Sequence, residues 1–375
     1  MDHAQHGAIA SQQAPPEEAP YPEPFYAWYV VAVLTLVYIF SFLDRQILNL
    51  LVAPVRRDLH ISDTQISLLI GIAFAAFYVT FGLPIGRIAD SRSRRGLISA
   101  GFFLWSLFCA GCGLAHNFPQ LAIMRMGVGV GEAALGPAAY SLITDYFPPH
   151  RRGIAQGIYS MGITLGGGTA LVMGGLVTGW TSRHAEWTLP LVGTVRSWQV
   201  VFLVIGLVGM LLVPMMATVR EPQRRGTAAG SKATPIPEML RYLKTHWKTY
   251  SSHNLGLSLQ VLAGYASLAW MPTFFIRHHH WSASQTGIVL GTVGMAFGSL
   301  GVFSAGWLAN SLYVAGRRDA CFFVGILLPI FLLPFLIAVV LAPTATAALF
   351  LFVPVSFLTT AFNAIAPTAL MQITP

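Results

Sequence analysis

Four charged residues lie inside long apolar stretches of the sequence. Asp44 and Arg45 fall in the first stretch, and Arg125 and Glu132 fall in the fourth. A charge at the centre of a bilayer costs at least about 2.5–3.5 kcal/mol, so an intramembrane ionisable residue is a functional candidate by default. A nearby arginine favours the ionised form of a carboxyl group, whereas burial favours the protonated form. The pattern predicts proton binding at Asp44, with Glu132 as the second candidate, and anchoring of an anionic substrate at Arg45 and Arg125.

The depths of the four charges overlap if both stretches are membrane-spanning helices. At about 1.5 Å per residue, Asp44 and Arg45 lie roughly 13–15 Å from the outer end of their helix. Arg125 lies roughly 9 Å and Glu132 roughly 20 Å from the outer end of the fourth helix. Arg125 and Glu132 are seven residues apart and share one helix face. The alternative to a coupling or binding site is an ion-pair network that only fixes helix packing.

The elements that position these charges are predicted to be transmembrane helices. Of the 375 residues, 55% are hydrophobic and 10% are charged, whereas soluble domains have about 25% charged residues. This composition excludes a disordered chain, a coiled coil and a typical cytosolic enzyme. It predicts an all-α polytopic membrane protein, because backbone polar groups in lipid must be paired within each segment. Ten apolar runs are long enough to span a bilayer, at about 27–53, 65–86, 97–115, 119–144, 153–178, 199–219, 253–276, 284–310, 320–341 and 345–369.

The distribution of positive charge predicts the orientation. With the N-terminus in the cytoplasm, fifteen of the 22 Lys and Arg residues fall in inner loops, five in outer loops and two inside spans. This bias follows the positive-inside rule and predicts a multi-pass protein of the inner or plasma membrane. It also accounts for the net charge of +8, because the excess faces anionic lipid rather than a nucleic acid.

The spacing of the runs predicts two bundles joined by a loop. We expect a flexible cytoplasmic tail over 1–24, a six-helix bundle over 25–219, a linker over 220–252 and a second bundle over 253–375. The linker contains a short basic helix candidate, at 237–250, that would lie on the membrane surface or be solvated. The loop sequence GRIADSRSRRG begins at Gly86, and a related sequence, GWLANSLYVAGRR, begins 220 residues later at Gly306. Such an internal repeat is typical of transporters.

The motifs in this framework resemble those of the major facilitator superfamily. They are GRIADSRSRRG at 86–96, RMGVGVGEAALGPA at 125–138 and the glycine-rich GITLGGG at 162–168. FLDRQILNLLVAPVRRDL in the first span and Glu132 in the fourth are similar to the spinster branch of lysolipid and sphingolipid transporters. The resemblance implies the major facilitator fold with twelve spans. Since ten are counted here, we expect a second bundle of four helices, truncated before helices 11 and 12 of the family.

The resemblance also implies roles for residues beyond the four charges inside the spans. In the loop motif, Gly86, Asp90, Arg94 and Arg95 match a charge-relay latch that gates the inner side, with Asp145 at the end of span 4 as a further member. Anchoring by positive loop charges is the alternative for the arginines. The resemblance supports the span 1 Asp-Arg pair and the span 4 Arg and Glu as the coupling and binding site.

Other polar and aromatic residues could line a central cavity. The candidates are Tyr38, Tyr159, Gln260, Tyr265 and Asn363, although each could equally pack or face lipid.

His278, His279 and His280 are expected to form a wet interfacial cluster rather than a metal site, because neighbours on a loop rarely converge on one ion. Three cysteines in apolar runs suggest neither disulfides nor zinc. We therefore expect no metal or cofactor. We also expect no nucleic-acid partner, and a monomer in the lipid bilayer.

The leading functional hypothesis is a secondary active transporter that works by alternating access. It would be coupled to protons and move a small amphiphilic or anionic organic solute, lysolipid-like by resemblance. An organic-anion or drug efflux carrier is the alternative within transport, and a non-transporting membrane scaffold or remnant is the alternative of another class. An enzyme is not expected, because metalloprotease and serine-hydrolase motifs do not occur, and the lack of a P-loop argues against ATP as the energy source.

Overall fold

The computed structural model describes residues 20–181, 186–189, 193–225 and 236–373, which are almost entirely helical. The first eight helices are α1 (Pro24–Leu50), α2 (Val52–Leu59), α3 (Asp63–Ile70), α4 (Ile72–Ser91), α5 (Arg94–Cys112), α6 (Phe118–Glu132), α7 (Leu135–Tyr146) and α8 (Pro149–Thr181). The remaining six are α9 (Ser197–Leu212), α10 (Ile236–Thr245), α11 (Trp247–His278), α12 (Ala283–Val314), α13 (Ala320–Leu341) and α14 (Ala345–Ile373). A 3₁₀ helix, Val213–Thr218, extends α9. The predicted all-α polytopic fold is confirmed.

Within the described residues, nine helical segments are long and apolar enough to cross a membrane. The fourth predicted span is not among the nine because it is divided into α6 and α7. Pro137 has no N–H to donate to the Ala133 carbonyl, four residues earlier, and its ring crowds that carbonyl. The Ala134 N–H instead bonds the Gly131 carbonyl at 3.3 Å, which tightens the turn. Ala133 and Ala134 keep right-handed helical dihedrals, so the chain continues across the break and supplies a tenth crossing.

Short elements that the sequence analysis did not predict cover one face of the molecule, which we call the Asp63 face. A capping box starts α3: the Ser62 hydroxyl accepts the Gln65 N–H, and the Gln65 side chain accepts the Ser62 N–H. A hairpin, β1 (Glu186–Leu189) paired antiparallel with β2 (Gly193–Arg196), joins α8 to α9. The opposite face carries Arg94 at the start of α5, and we call it the Arg94 face.

The membrane-spanning helices form two bundles, α1–α9 and α11–α14, which meet mainly along α8 and α12. Glycines allow these two helices to approach closely. A Cβ added at Gly287 would lie 2.3 Å from the Leu171 carbonyl oxygen, and one added at Gly291 would lie 2.6 Å from the Gly168 carbonyl oxygen. The contact covers the part of α8 that runs from the middle of the helix toward the Asp63 face. We call it the glycine seam.

The surfaces of both bundles suit a lipid environment. Large apolar side chains are strongly exposed on most long helices, including Leu83 on α4, Leu211 on α9, Phe303 on α12 and Phe350 on α14. On a soluble protein such patches would be unusual, whereas in a bilayer they contact acyl chains. This pattern agrees with an integral multi-pass membrane protein.

Parts of the predicted domain scheme lie outside the described residues. They are residues 1–19 of the predicted tail and 226–235 of the predicted linker. The basic helix expected over 237–250 is divided at His246, since α10 ends at Thr245 and α11 begins at Trp247. The predicted domain boundaries stay predictions.

Candidate functional site

Glu132 and Arg45 form an ion pair between α6 and α1. The Arg45 Nε lies 2.5 Å from Glu132 Oε2, and the Ser41 hydroxyl donates to the same oxygen at 2.8 Å. The Glu132 side chain is fully buried, whereas that of Arg45 is 14% exposed. The carboxylate of the pair is therefore shielded from solvent, whereas the guanidinium is partly accessible.

Aromatic rings surround the accessible end of Arg45. Its guanidinium carbon lies 5.0 Å from the centre of the Phe42 ring, 4.6 Å from that of Phe74 and 4.9 Å from that of Tyr78. At these distances the ring faces attract the cation. They also restrict the orientation of the planar guanidinium, whose outer N–H groups are of the kind that can bind an anion bidentately.

Asp44 is buried behind this pair. Its carboxylate accepts a hydrogen bond from the Cys109 thiol at 3.3 Å, while Arg125 Nη1 donates to the Asp44 backbone carbonyl at 3.0 Å. The structure thus brings all four predicted in-span charges together. It differs from the simplest expectation in one respect: Arg125 holds the backbone of Asp44 rather than its carboxylate.

A cavity of about 340 Å³ lies between the two bundles, beside Arg45. Three of the predicted cavity residues, Tyr38, Tyr265 and Asn363, line it together with Arg45, which was predicted to anchor the substrate. Its other polar lining residues escaped the sequence analysis and are Tyr78, Thr164, Ser267, Ser356, Thr359 and Thr360. Ser356, Thr359 and Thr360 precede Asn363 on α14 at the three- to four-residue spacing of a helix face. This spacing is visible in the sequence and could have identified the α14 side of the cavity.

Three predicted substrate residues lie away from the central cavity. Arg125 and Tyr159 are fully buried in the first bundle. Tyr159 stacks on Tyr38 with ring centres 4.6 Å apart, so it supports a lining residue from behind. Gln260 lines a separate apolar groove of about 630 Å³ between α11, α13 and α14. Residue type alone could not separate these three from the lining residues, because an aromatic or polar side chain on a span can face the central cavity or another side of the helix.

A second charged cluster lies at the Arg94 face, where residues 220–225 cross the ends of α4, α5 and α7. The fully buried Arg94 pairs with Asp145, bonds Ser141 at 2.9 Å and pairs with Glu221 at 2.8 Å. The Arg95 N–H donates to Glu221 at 2.9 Å. The cluster joins the start of the linker to the first bundle, and we call it the Arg94 clasp.

Glu221 completes the Arg94 clasp and was not predicted. Burial by itself would raise the pKa of its carboxyl group, but hydrogen bonds from the Arg95 N–H, the Arg94 guanidinium and the Ser93 hydroxyl outweigh burial and lower the pKa. The sequence signal was its place as the one acid among the arginines of 220–225.

The remaining predicted gating residues lie at the edge of the clasp. Asp90 is exposed at the end of α4, and within the described structure it has no hydrogen bond or ion pair. A Cβ added at Gly86 would meet the Pro137 side chain at an ordinary 3.8 Å. The structure therefore brings together Arg94, Arg95 and Asp145 but not Gly86 and Asp90. The latch role of all five stays a prediction.

An ion pair across the two bundles lies at the Asp63 face. Arg277, at the end of α11, donates to both carboxylate oxygens of Asp63, at 2.9 and 3.1 Å. Arg56 lies 3.3 Å from the same carboxylate. The sequence analysis missed this contact because the partners are 214 residues apart and lie in loops or at helix ends.

Two of the three histidines that follow Arg277 pack against aromatic rings. His278 and His279 contact the ring of Phe274. Burial lowers the pKa of His279, and the neighbouring His278 and His280 lower it further. Among the described residues no group of three potential ligands could hold a metal ion.

Comparison with known proteins relates this architecture to a family. Residues 34–375 match the Major Facilitator Superfamily. The chain is 27% identical over 292 residues to an MFS-type efflux pump of Mycolicibacterium smegmatis, covering 76% of this chain and 63% of that protein. It is 24% identical over 308 residues to a probable L-galactonate transporter of Escherichia coli K12, again covering 76% and 63%. The chain thus spans about 63% of the length of these two curated relatives.

A solved structure is also similar. It is the crystal structure of a bacterial homolog to the human lysosomal transporter spinster, in an inward-facing and unoccupied conformation. The TM-score is 0.76 at 30% identity, with 93% of this chain and 76% of that chain covered. The resemblance to the spinster branch is confirmed. The prediction that the chain is not an enzyme agrees with its similarity to transporters.

Proposed function

Because the chain belongs to the Major Facilitator Superfamily, we propose that it is a proton-coupled secondary transporter that works by alternating access. The observation that carries the proposal is the buried Glu132 carboxylate paired with Arg45 at the edge of the cavity between the bundles. A substrate anion and Glu132 compete for one guanidinium. A proton on Glu132 weakens the ion pair and leaves Arg45 to the substrate, so proton binding and anion binding favour each other.

The substrate class that fits best is a small organic anion with several hydroxyl groups. Arg45 offers two N–H groups to a carboxylate or phosphate. The α14 wall opposite offers Ser356, Thr359 and Asn363. A volume of about 340 Å³ falls at the small end of ligand pockets, at roughly 300–1,000 Å³. The galactonate transporter among the relatives supports this class by similarity.

A lysolipid is the second candidate. The similarity to the spinster homolog favours it, and the apolar part of the cavity, with Leu268 and Phe352, could contact an acyl chain. In this case Arg45 binds the phosphate of the headgroup. Both candidates place an anionic group, a carboxylate or a phosphate, on the same residue.

The conformation fits a state open toward the Arg94 face. Hydrogen bonds between the bundles in the described structure involve Asn49 with Leu268, Thr169 with Met295, and Asp63 with Arg277. These contacts lie from the middle of the membrane to the Asp63 face. With the predicted orientation, in which the N-terminus is cytoplasmic, this is an inward-open state of a monomer in the inner or plasma membrane.

The test is flux in proteoliposomes with an imposed pH gradient, using a panel of hexuronic and aldonic acids, a lysophospholipid and neutral sugars. We expect flux of an anionic substrate, loss of proton-driven accumulation in Glu132→Gln and in Asp44→Asn, which removes the other buried carboxylate, and loss of binding in Arg45→Gln. Asp58→Asn is the matched control, because Asp58 accepts a hydrogen bond from Trp198 at 2.9 Å in the same bundle and outside the cavity. Transport of neutral sugars alone, or no flux of any substrate, would contradict the proposal.

A further inference from the structure

The Cys109 thiol is the group that holds the Asp44 side chain. Both residues are buried, and the thiol sulfur lies 3.3 Å from Asp44 Oδ1. Among the described residues, no other side chain donates a hydrogen bond to this carboxylate. Arg125, the nearest candidate, donates to the backbone carbonyl instead. Its Nε and Nη2 atoms are buried and have no hydrogen-bond partner in the described structure.

Several other groups surround this contact. The titratable and charged groups that face Asp44 come from α1, α5 and α6 and are Arg45, Cys109, Cys112, Arg125 and Glu132. Arg45 is committed to Glu132. The direct support for an ionised Asp44 carboxylate therefore comes from one thiol, which is a weak donor.

We propose that Cys109 is a positioning residue for proton exchange: its thiol orients the Asp44 carboxylate and sets the pH at which Asp44 takes up its proton. The inference rests on the proposed proton coupling. A hydrogen bond donated to the ionised form favours that form. A stronger donor at position 109 therefore keeps Asp44 ionised to lower pH, and an apolar residue there lets Asp44 take up its proton at higher pH.

The thiol has a second acceptor, the Phe202 carbonyl on α9, at 3.8 Å from the sulfur. A single S–H cannot donate to both oxygens. When Asp44 takes up a proton it becomes a poorer acceptor, and the thiol turns to Phe202. Protonation of a side chain on α1 thus exchanges a contact between α5 and α1 for one between α5 and α9, with no change in bonds other than the transferred proton.

The experiment is an infrared titration of the full chain in lipid nanodiscs, without substrate. The band followed is the C=O stretch of a protonated carboxyl group, which Asp44→Asn assigns by removing it. We expect Cys109→Ala to move the midpoint of this band to higher pH and Cys109→Ser to lower pH, each by about 0.5–1 pH unit. Cys109→Val, which is closer in size, should follow Cys109→Ala and covers the case in which Ala destabilises the fold.

Cys112 provides the matched control. It lies one helical turn further along α5 and is also buried, but within the described structure it has no hydrogen bond to Asp44. Cys112→Ala and Cys112→Ser should leave the midpoint in place. Shifts of the same sign in Cys109→Ala and Cys109→Ser, equal shifts in the Cys112 variants, or no shift at all would overturn the proposal.

The outcomes separate this inference from the proposed function. If the Asp44 band shifts as expected while no substrate is transported, the transport proposal fails and the role of Cys109 stands. If transport depends on Asp44 but the midpoint of the band does not change in the Cys109 variants, only the role of Cys109 fails. If no band sensitive to Asp44→Asn appears over pH 4–10, the role of Cys109 fails, while the transport proposal, which depends on Glu132 and Arg45, is decided by the flux assay.

Discussion

The two bundles differ in where they hold charge. The first bundle buries Asp44, Arg125 and Glu132 in its interior and holds Arg45 at the edge of the cavity, with each hydrogen bond of these side chains made inside the bundle. The second bundle has no Asp, Glu, Lys or Arg in its spans apart from the end turns of α11. It contributes hydroxyl, amide and aromatic groups to the same cavity.

This division allows the bundles to move without breaking the buried ion pair. The cost of separating buried charges is several kcal/mol, and a pair that crossed the interface would impose that cost on every change of state. Here both partners belong to one bundle, so a movement of one bundle against the other would not by itself separate them. The interface itself is crossed by the half-exposed Asp63–Arg277 pair, which water can replace cheaply.

The largest expected effect comes from neutralising one member of the buried pair. Glu132→Gln leaves the Arg45 guanidinium without its partner carboxylate, which costs about 3–5 kcal/mol, and flux should fall at least about 100-fold. Thermal unfolding should show the loss of stability. The double variant Arg45→Met with Glu132→Gln should recover stability but not flux. Normal flux in Glu132→Gln would show that transport does not depend on the ion pair that distinguishes the first bundle from the second.

The next effect concerns the glycine seam. Gly287→Ala places a methyl group against the Leu171 carbonyl, an overpacking cost of about 1–3 kcal/mol. We expect the population to shift toward separation at the Asp63 face, measured by pulsed EPR between labels at exposed positions 57 and 280. Gly294→Ala is the matched control on the same helix, because its added Cβ has no atom within 4 Å. Equal distances in both variants would contradict a role for the seam.

A smaller effect is expected from the uncharged wall of the second bundle. Asn363→Ala removes one neutral hydrogen-bonding group from the cavity, worth about 0.5–1.5 kcal/mol. The KM should rise about 2–13-fold with the pH profile of transport unchanged. Asn310→Ala, exposed on α12 and outside the cavity lining, is the control. A changed pH profile in Asn363→Ala would mean that coupling extends into the second bundle.

The cross-bundle pair should have a weaker influence. Arg277→Gln removes a half-exposed contact, worth about 0.2–1 kcal/mol, so the state closed at the Asp63 face should lose up to about five-fold in population. The exchange of Asp63→Arg with Arg277→Asp should restore it. Arg56→Gln is the control, since Arg56 contacts the same carboxylate from within the first bundle. An effect of Arg56→Gln as large as that of Arg277→Gln would argue against a cross-bundle role.

The smallest effect is a local pH dependence at the Arg94 clasp. The pKa of Glu221 is lowered in the folded protein, so its contribution is complete above the ordinary carboxyl range and is lost as pH falls through the lowered pKa. The protection of the backbone amides of residues 219–225 against hydrogen exchange, measured relative to their intrinsic exchange rates at each pH, should therefore fall on acidification. In Glu221→Gln this protection should be low already at neutral pH. Acid-induced exchange that persists unchanged in this variant would assign the dependence to another group.

The fold and the buried charges could be predicted from the sequence because both depend on local composition. Apolar runs determine spans whatever their partners, and a charge inside a run is visible without a structure. The position of Glu132 seven residues after Arg125 correctly indicated one helix, although Pro137 ends α6 directly after Glu132.

The pairing and the cavity lining could not be predicted in the same way. Arg125 was predicted to anchor an anionic substrate, but it is buried against the Asp44 backbone, and which atoms meet depends on helix rotations that no span pattern encodes. The Asp63–Arg277 contact joins residues 214 positions apart, and the Cys109 thiol looks in sequence like any small apolar residue of a span. Tyr159 and Gln260 show the converse, since a suitable residue type in a suitable span lay outside the cavity.

The glycine seam has a further consequence for the rate of conformational exchange. When an interface of large side chains opens or closes, each side chain gains or loses up to about 1.5–2 kcal/mol of rotamer entropy, whereas glycine has none to exchange. Gly168 meets Gly291, and Gly175 meets Gly287, through backbone atoms, so these glycine contacts can part and re-form without any change of rotamer in the glycines themselves. Because these glycine contacts have no side-chain rotamer entropy to lose or gain, their contribution to the entropic barrier to motion is low.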